Sequence, residues 1–339
     1  MSNTYTATPS FSKSVPSHQD TTLATYMNRD FLALPEEYSI EEARRYFLKT
    51  MPEGDIPSLL PVISSDKELC GVLSLKKLLQ AEESHQPISS LLTHDFFQLS
   101  PGQTRSEVAE QLSQLNVEWV PIVLHKRLVG VLGEREIHRL LADDVTEDAQ
   151  RQGASLPLET PYLQTSPWTL WRKRAAWLLM LFVAEAYTGN VLKAFEEQLE
   201  AAIALAFFIP LLIGTGGNSG TQITSTLVRA MALGEVSLRN VGAVIRKEVS
   251  TSLLIALTIG VAAWIRAWIM GVGVEVTLVV SITLVAITIW SAIVSSIIPM
   301  VLKKVGIDPA VVSAPFIATF IDGTGLIIYF KIAQLVMGI

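Results

Sequence analysis

Residues 208–222 read Phe-Ile-Pro-Leu-Leu-Ile-Gly-Thr-Gly-Gly-Asn-Ser-Gly-Thr-Gln, and no charged residue occurs between Ala201 and Val228. An uncharged run of that length exceeds the roughly 20 apolar residues with which a helix crosses a bilayer. Its middle nevertheless holds Pro210, four glycines, Asn218 and Gln222. Irregular backbone at membrane depth is tolerated only where protein covers it or water lines it. The stretch therefore predicts a glycine-rich break inside a membrane span, in a chain that moves something polar across a membrane.

The surrounding sequence extends this reading. Apolar runs at 174–192, 201–228, 249–265, 276–302 and 309–335 predict five spans. With the N-terminal half inside the cell, nine basic residues (Arg172, Lys173, Arg174, Arg229, Arg239, Arg246, Lys247, Lys303, Lys304) flank the spans on the cytoplasmic side. Only Lys193, Arg266 and Lys331 fall outside. The positive-inside bias thus predicts a multi-pass cell-membrane protein with its N-terminus in and its C-terminus out.

The other half differs in kind. Residues 1–170 carry 14 Lys and Arg against 23 Asp and Glu, whereas residues 171–339 carry 12 against 9. An acidic soluble half argues against a nucleic-acid partner. Cys70 is the sole cysteine and all five histidines lie before residue 171. A metal handled in the membrane half would meet only oxygen ligands, which suit Mg2+, Ca2+ or Mn2+. Residues 1–25 are Ser/Thr-rich at the start, lack the apolar core of a signal peptide and read as a disordered leader.

A repeat occupies 26–142. Leu60-Pro61-Val62-Ile63, Cys70-Gly71-Val72-Leu73 and Leu75-Lys76-Lys77-Leu78-Leu79 recur as Val120-Pro121-Ile122-Val123, Val129-Gly130-Val131-Leu132 and Ile137-His138-Arg139-Leu140-Leu141. Each copy predicts strand, tight turn, strand, helix, preceded by an amphipathic helix at 40–48 or 105–115. This resembles a tandem pair of cystathionine-β-synthase (CBS) domains. Such pairs often bind adenine nucleotides through an Asp after the Gly-x-x-Ser/Thr turn. Neither Gly71-Val72-Leu73-Ser74-Leu75-Lys76-Lys77 nor Gly130-Val131-Leu132-Gly133-Glu134-Arg135-Glu136 has that Asp, so nucleotide binding is not expected.

An acidic connector follows at 143–170, opening with Asp143, Asp144, Glu147 and Asp148. These acids suit a helix N-terminus. Equally, clustered carboxylates suit a bridging cation. In the last span, Asp322 stands alone among Ser313, Ala314, Ala318, Thr319 and Gly323. A carboxylate at the membrane centre costs about 2.5–3.5 kcal/mol on insertion scales, so it faces a cavity or a partner. The small residues around it would permit close helix packing. Glu185, in the first span, could line the same cavity, pair with Arg266 or face a subunit contact.

Ala206-Phe207-Phe208-Ile209-Pro210, Gly214 to Gln222 and Thr226-Leu227-Val228-Arg229-Ala230 resemble the second span of the MgtE-type magnesium channels. Asp308-Pro309-Ala310, followed by Pro315, Thr319, Asp322, Gly325 and Tyr329, is similar to that family's fifth span. The resemblance implies a soluble α+β tandem CBS pair followed by an all-α five-helix transmembrane domain at 171–339, assembled as a homodimer around a central pore. It further implies Asp322 as the pore aspartate, Asn218 as a pore-lining asparagine, and Ala318 and Gly325 flanking the ion. The connector would be a plug helix that closes the pore when cytosolic Mg2+ bridges carboxylates, with Asp143, Asp144, Glu147 and Asp148 where some of these are expected. Two features depart from the family. Its common acidic N-terminal domain has only about 25 residues in its place, and Ala314 stands where some members carry asparagine.

The expectation is thus a Mg2+-selective channel for magnesium uptake, closed by intracellular Mg2+, and not an enzyme. The runner-up is a coupled carrier exchanging Mg2+ for Na+ or H+. An intramembrane aspartyl enzyme would need two carboxylates sharing a proton, and only Asp322 is deep.

Overall fold

The structure is a computed structural model that describes residues 22–50, 56–83, 85–115, 117–158 and 160–338. Most of the expected leader, residues 1–21, lies outside the described residues. The chain divides into two compact units, Met1–Val145 and Thr146–Ile339.

The first unit is the CBS pair. In one copy, β1 (Leu34–Pro35) runs parallel to β2 (Leu59–Ile63), which pairs antiparallel with β3 (Leu69–Ser74). Helix α1 (Ile40–Thr50) precedes the hairpin and α2 (Leu75–Gln80) follows it. Leu34, Ile40, Phe47, Leu60, Val62, Leu73 and Leu78 fill the core between them. The other copy repeats the plan with α3 (Arg105–Gln114), β4 (Val120–Leu124), β5 (Arg127–Leu132) and α4 (Glu134–Gln152). Leu99, bridging Ile122 in parallel, stands where β1 stands in the first copy. Thr104 and Glu107 form a reciprocal capping box at the start of α3. His125 and Lys126 join β4 to β5 with positive φ at both positions, as a two-residue turn of type I′ requires.

The copies exchange their leading segments. Asn28 bridges Val131 of β5, and Thr93 bridges Val72 of β3. Leu23 and Tyr26 consequently enter the second copy's core with Leu99, Val108 and Leu132. This corrects the leader boundary: Leu23–Thr25 form a 3-10 turn, and Leu23 is fully buried. Burying a leucine side chain contributes about 2 kcal/mol towards holding the segment in place.

The second unit is helical. Its five membrane-length helices are α5 (Pro167–Ala194), a 3-10 turn Ile203–Phe208 leading into α7 (Ile209–Ala232), α8 (Val241–Met270), α9 (Val274–Lys304) and α10 (Ala314–Met337). A short α6 (Glu196–Ala201) precedes the second of these. Ser166 caps α5 and Ser313 caps α10, each with proline in the first turn, where a missing N–H costs nothing. Pro309 therefore lies outside the last span, in the turn Pro309–Val311 that Asp308 caps. Gly271, at φ +66, closes α8 in the left-handed conformation that only glycine adopts freely. The most apolar window of α9 is 56% buried, against 17% for those of α5 and α8. Helix α9 is thus the centre of the bundle, while α5 and α8 present apolar surface outward.

Candidate ion-binding site

The glycine-rich stretch is not broken. Ile209–Ala232 forms one continuous helix, and the interruptions lie before it, at Ala202 (φ −142, ψ 79) and in the 3-10 turn ending at Phe208. The four glycines cost helix propensity, about 1 kcal/mol each relative to alanine. Close packing explains three of them. A Cβ on Gly216 would lie 2.6 Å from Ile287 of α9, and one on Gly220 would lie 2.4 Å from Ile321 of α10 and 2.8 Å from the Ser295 hydroxyl. A Cβ on Gly217 would lie 3.2 Å from Ala318 and 3.5 Å from Asp322 Oδ1. These three glycines are helix-packing positions, and the Gly216 carbonyl accepts from the Ser291 hydroxyl at 2.9 Å.

The opposite face of α7 is polar and open. Gly214, Asn218, Gln222 and Thr226, spaced by four, form an exposed stripe, while Leu212, Gly216, Gly220, Ile223 and Leu227 are buried. Amide side chains facing hydrocarbon leave hydrogen-bonding groups unsatisfied. This stripe requires water or a second protein surface in a membrane.

Asp322 lies beside it on α10. Its Oδ1 is buried and has no hydrogen-bond partner. Ala318 sits one turn earlier and meets Gly217, the residue before Asn218. Gly325, one turn later, instead turns its missing side chain onto Ile287 of α9. Helix α10 is held at four points. The Trp177 indole donates to Ser313 Oγ (3.2 Å), the Trp290 indole to Thr324 Oγ1 (2.9 Å) and the Tyr329 hydroxyl to the Leu205 carbonyl (2.9 Å). Gly323 packs against Tyr187 and Thr188 of α5. Glu185 stands on the same helix, one turn before Thr188. Among the described residues it makes no ion pair with Arg266, which removes that alternative.

The connector acids occupy the second half of α4, not the helix N-terminus that was one reading of them. The Tyr26 hydroxyl donates to Asp143 (3.0 Å), and Asp144 accepts from Ser106 (3.2 Å) and faces the Arg105 guanidinium (3.5 Å). Burial raises the Tyr26 phenol above its usual pKa, with Arg105 opposing the rise. Glu147 pairs with Arg151, and Arg151 Nη1 also bonds Asp308 at 2.9 Å. Asp148 lies one residue beyond Glu147 and also has interactions within the chain. Among the described residues, no three His, Cys, Asp or Glu side chains converge as a preformed metal group. Oxygen donors suit Mg2+, so the residue types fit the ion, but Asp143, Asp144 and Glu147 already have protein donors. Sequence reasoning missed Arg105, a buried arginine with nothing local to mark it. The Glu147–Arg151 pair was visible as an i,i+4 spacing.

The CBS pair also contains a cleft of about 670 Å³ that includes Trp119 and Arg135. Asp30, Glu118, Glu134 and Glu136 line it, and Glu136 accepts from the Gly133 N–H at 3.0 Å. Among the described lining residues, four carboxylates stand against one arginine, a balance that disfavours a free polyphosphate.

Comparison with known proteins bears on both units. The MgtE divalent cation transporter family model matches residues 209–332, and the CBS domain model matches 23–84 and 88–143. The magnesium transporter MgtE of Thermus thermophilus is 31% identical over 312 residues, 92% of this chain and 69% of that protein. The Bacillus subtilis magnesium transporter MgtE is 28% identical over 309 residues, 91% of this chain and 68% of that one. Among solved structures, the CBS pair of a putative Mg2+ transporter from Shewanella oneidensis aligns with TM-score 0.33 at 18% identity, covering 38% of this chain and 74% of that one. The cytosolic domain of the Mg2+ channel MgtE in complex with ATP aligns with TM-score 0.31 at 22% identity, covering 34% and 46%. A tandem CBS pair, five membrane-length helices and a relationship to transporters across nine-tenths of the sequence agree: this chain belongs to the MgtE family of magnesium transporters, a family of transport proteins and not of enzymes.

Proposed function

We propose that the protein conducts Mg2+ down its electrochemical gradient through a pore formed by two copies of the chain, with the CBS pair in the cytoplasm and the C-terminus outside. One observation carries this reading: an intramembrane carboxylate, Asp322, has an unpartnered oxygen beside the helix that presents Asn218 and Gln222 on an open polar stripe. Two copies would set two Asp322 carboxylates and two such stripes about one axis. Paired negative charges attract a dication more strongly than a monovalent ion. Mg2+ releases its waters reluctantly, so acceptors spaced for a hydrated ion suit it better than a tight cage.

Asp322, Asn218 and Ala318 are the pore residues of this reading, and Gly325 contributes by keeping α10 close to α9. Closure by cytosolic Mg2+ would act through Asp143, Asp144, Glu147 and Asp148. Binding there requires the ion to displace the Tyr26, Arg105 or Arg151 donors. The acidic cleft of the CBS pair supports a nucleotide-independent sensor.

The test is Mg2+ flux into liposomes holding the full chain. Asp322→Asn should lower flux at least a hundredfold while the protein elutes and melts as the parent does. Undiminished flux would remove Asp322 from the path. Flux that follows an imposed Na+ or H+ gradient at fixed membrane potential would establish the coupled carrier instead.

A further inference from the structure

Helix α5 carries the other intramembrane acid, Glu185, on an exposed position of the single chain. Thr188 lies three residues on and so shares its helix face. Thr188 is 4% exposed, and its hydroxyl has no hydrogen-bond partner. It sits on the seam with α10: a Cβ on Gly323, the residue after Asp322, would lie 3.3 Å from Thr188 Oγ1 and 2.4 Å from the Tyr187 ring. Glycine at 323 is what lets the two acid-bearing helices approach so closely. The seam thus sets a buried hydroxyl, with Glu185 one helical turn before it, against the stretch of α10 that carries Asp322 and its unpartnered oxygen.

We propose that Glu185 and Thr188 complete the ion site that Asp322 begins, Glu185 adding from each copy a further negative charge that strengthens the preference of the paired Asp322 carboxylates for divalent over monovalent cations. The inference rests on the reading of Asp322 as a pore residue and extends it to α5. Carboxylates gathered at one site in a medium of low dielectric repel each other. Each dication compensates twice the charge that a monovalent cation does, so every added carboxylate widens the preference. The Thr188 hydroxyl is an oxygen acceptor for a water of the hydrated ion, and nothing else in the seam satisfies it. The position of Glu185, outside the buried core of one chain, lets it reach an aqueous path without unpacking the bundle.

The experiment compares full-length parent, Glu185→Gln, Glu185→Asp, Thr188→Val and Asp322→Asn in liposomes. It measures half-saturating Mg2+ and, in divalent-free buffer, K+ leak relative to Mg2+ flux. Glu185→Gln should raise both quantities about tenfold, Glu185→Asp should restore most of the difference, and Thr188→Val should raise half-saturating Mg2+ about threefold. Parental values in Glu185→Gln and Thr188→Val alongside an inactive Asp322→Asn would overturn this inference alone. Full flux in Asp322→Asn would overturn the reading beneath it. If Glu185→Gln shifts the protein from dimer to monomer on gel filtration while the remaining dimers keep parental selectivity, Glu185 is a subunit contact and the inference fails. Should Glu185→Gln not assemble, Glu185→Asp and Thr188→Val decide by the same readouts.

Discussion

In the CBS unit, Gly71 and Gly130 hold equivalent places in β3 and β5, and a Cβ on either would come within 3.1 Å of a backbone carbonyl oxygen, Thr93 in one copy and Asn28 in the other. In the membrane unit, Gly216 and Gly220 meet the isoleucine side chains of neighbouring helices. The first pair admits an extra length of backbone to a sheet edge, and the second lets helices interlock. The interiors differ in a parallel way. Among the described residues, the buried side-chain polar atoms without a partner are Arg44 Nε in the CBS unit and Thr188, Thr224, Thr283, Ser295, Ser296 and Asp322 oxygens in the membrane unit. Even Arg44 is engaged through another nitrogen, which donates to the Leu78 and Ala81 carbonyls. One unit is closed upon itself. The other retains unused oxygen, which is the chemistry a hard cation needs.

The sharpest way to break this contrast lies in the CBS unit. Asp144→Ala removes the carboxylate that faces Arg105, which is 6% exposed. Losing one member of a buried ion pair should cost about 3 kcal/mol, seen as a lower melting transition of the full chain in detergent. An unchanged melt would mean that this unit also tolerates an uncompensated group. Next, Gly220→Ala places a methyl 2.4 Å from Ile321 Cδ1. Overpacking of this kind should cost about 1–3 kcal/mol and reduce flux, and adding Ile321→Val should recover part of both. The smallest effects carry opposite signs. Thr104→Ala breaks the α3 capping box and should destabilise by about 1 kcal/mol. Ser295→Ala removes a hydroxyl with no partner and should be neutral or stabilise by up to about 1 kcal/mol. Equal losses in the two variants would mean that Ser295 is satisfied after all.

Much of this architecture was legible in the sequence because its signals are local. Five apolar runs of sufficient length mark five spans, and an aspartate within the last is conspicuous against its neighbours. The repeat shows itself because strand, turn and helix recur together. What escaped depends on residues distant in the chain. Pro210 and the glycines suggest a break, but Ile287, Ile317 and Ile321 hold α7 intact by filling the space left by the missing side chains. Leu23 resembles a tail residue until Leu99 and Leu132 surround it. The acids after Ala142 suggest a new element, yet α4 runs through them to Gln152 without interruption. At the candidate site, the aspartate could be read directly. Glu185 could be read only as three open alternatives, and Thr188 not at all, because the place of both depends on Gly323 drawing the helices together.

Arg151 stands near the end of α4, in the helix that carries all four connector acids, and its guanidinium grips Asp308, 157 residues away in sequence. Asp308 in turn caps the turn from which α10 departs. Releasing that grip would therefore loosen the foot of the helix bearing Asp322. Two side chains and one short turn thus tie residues on either side of four membrane-length helices in the sequence.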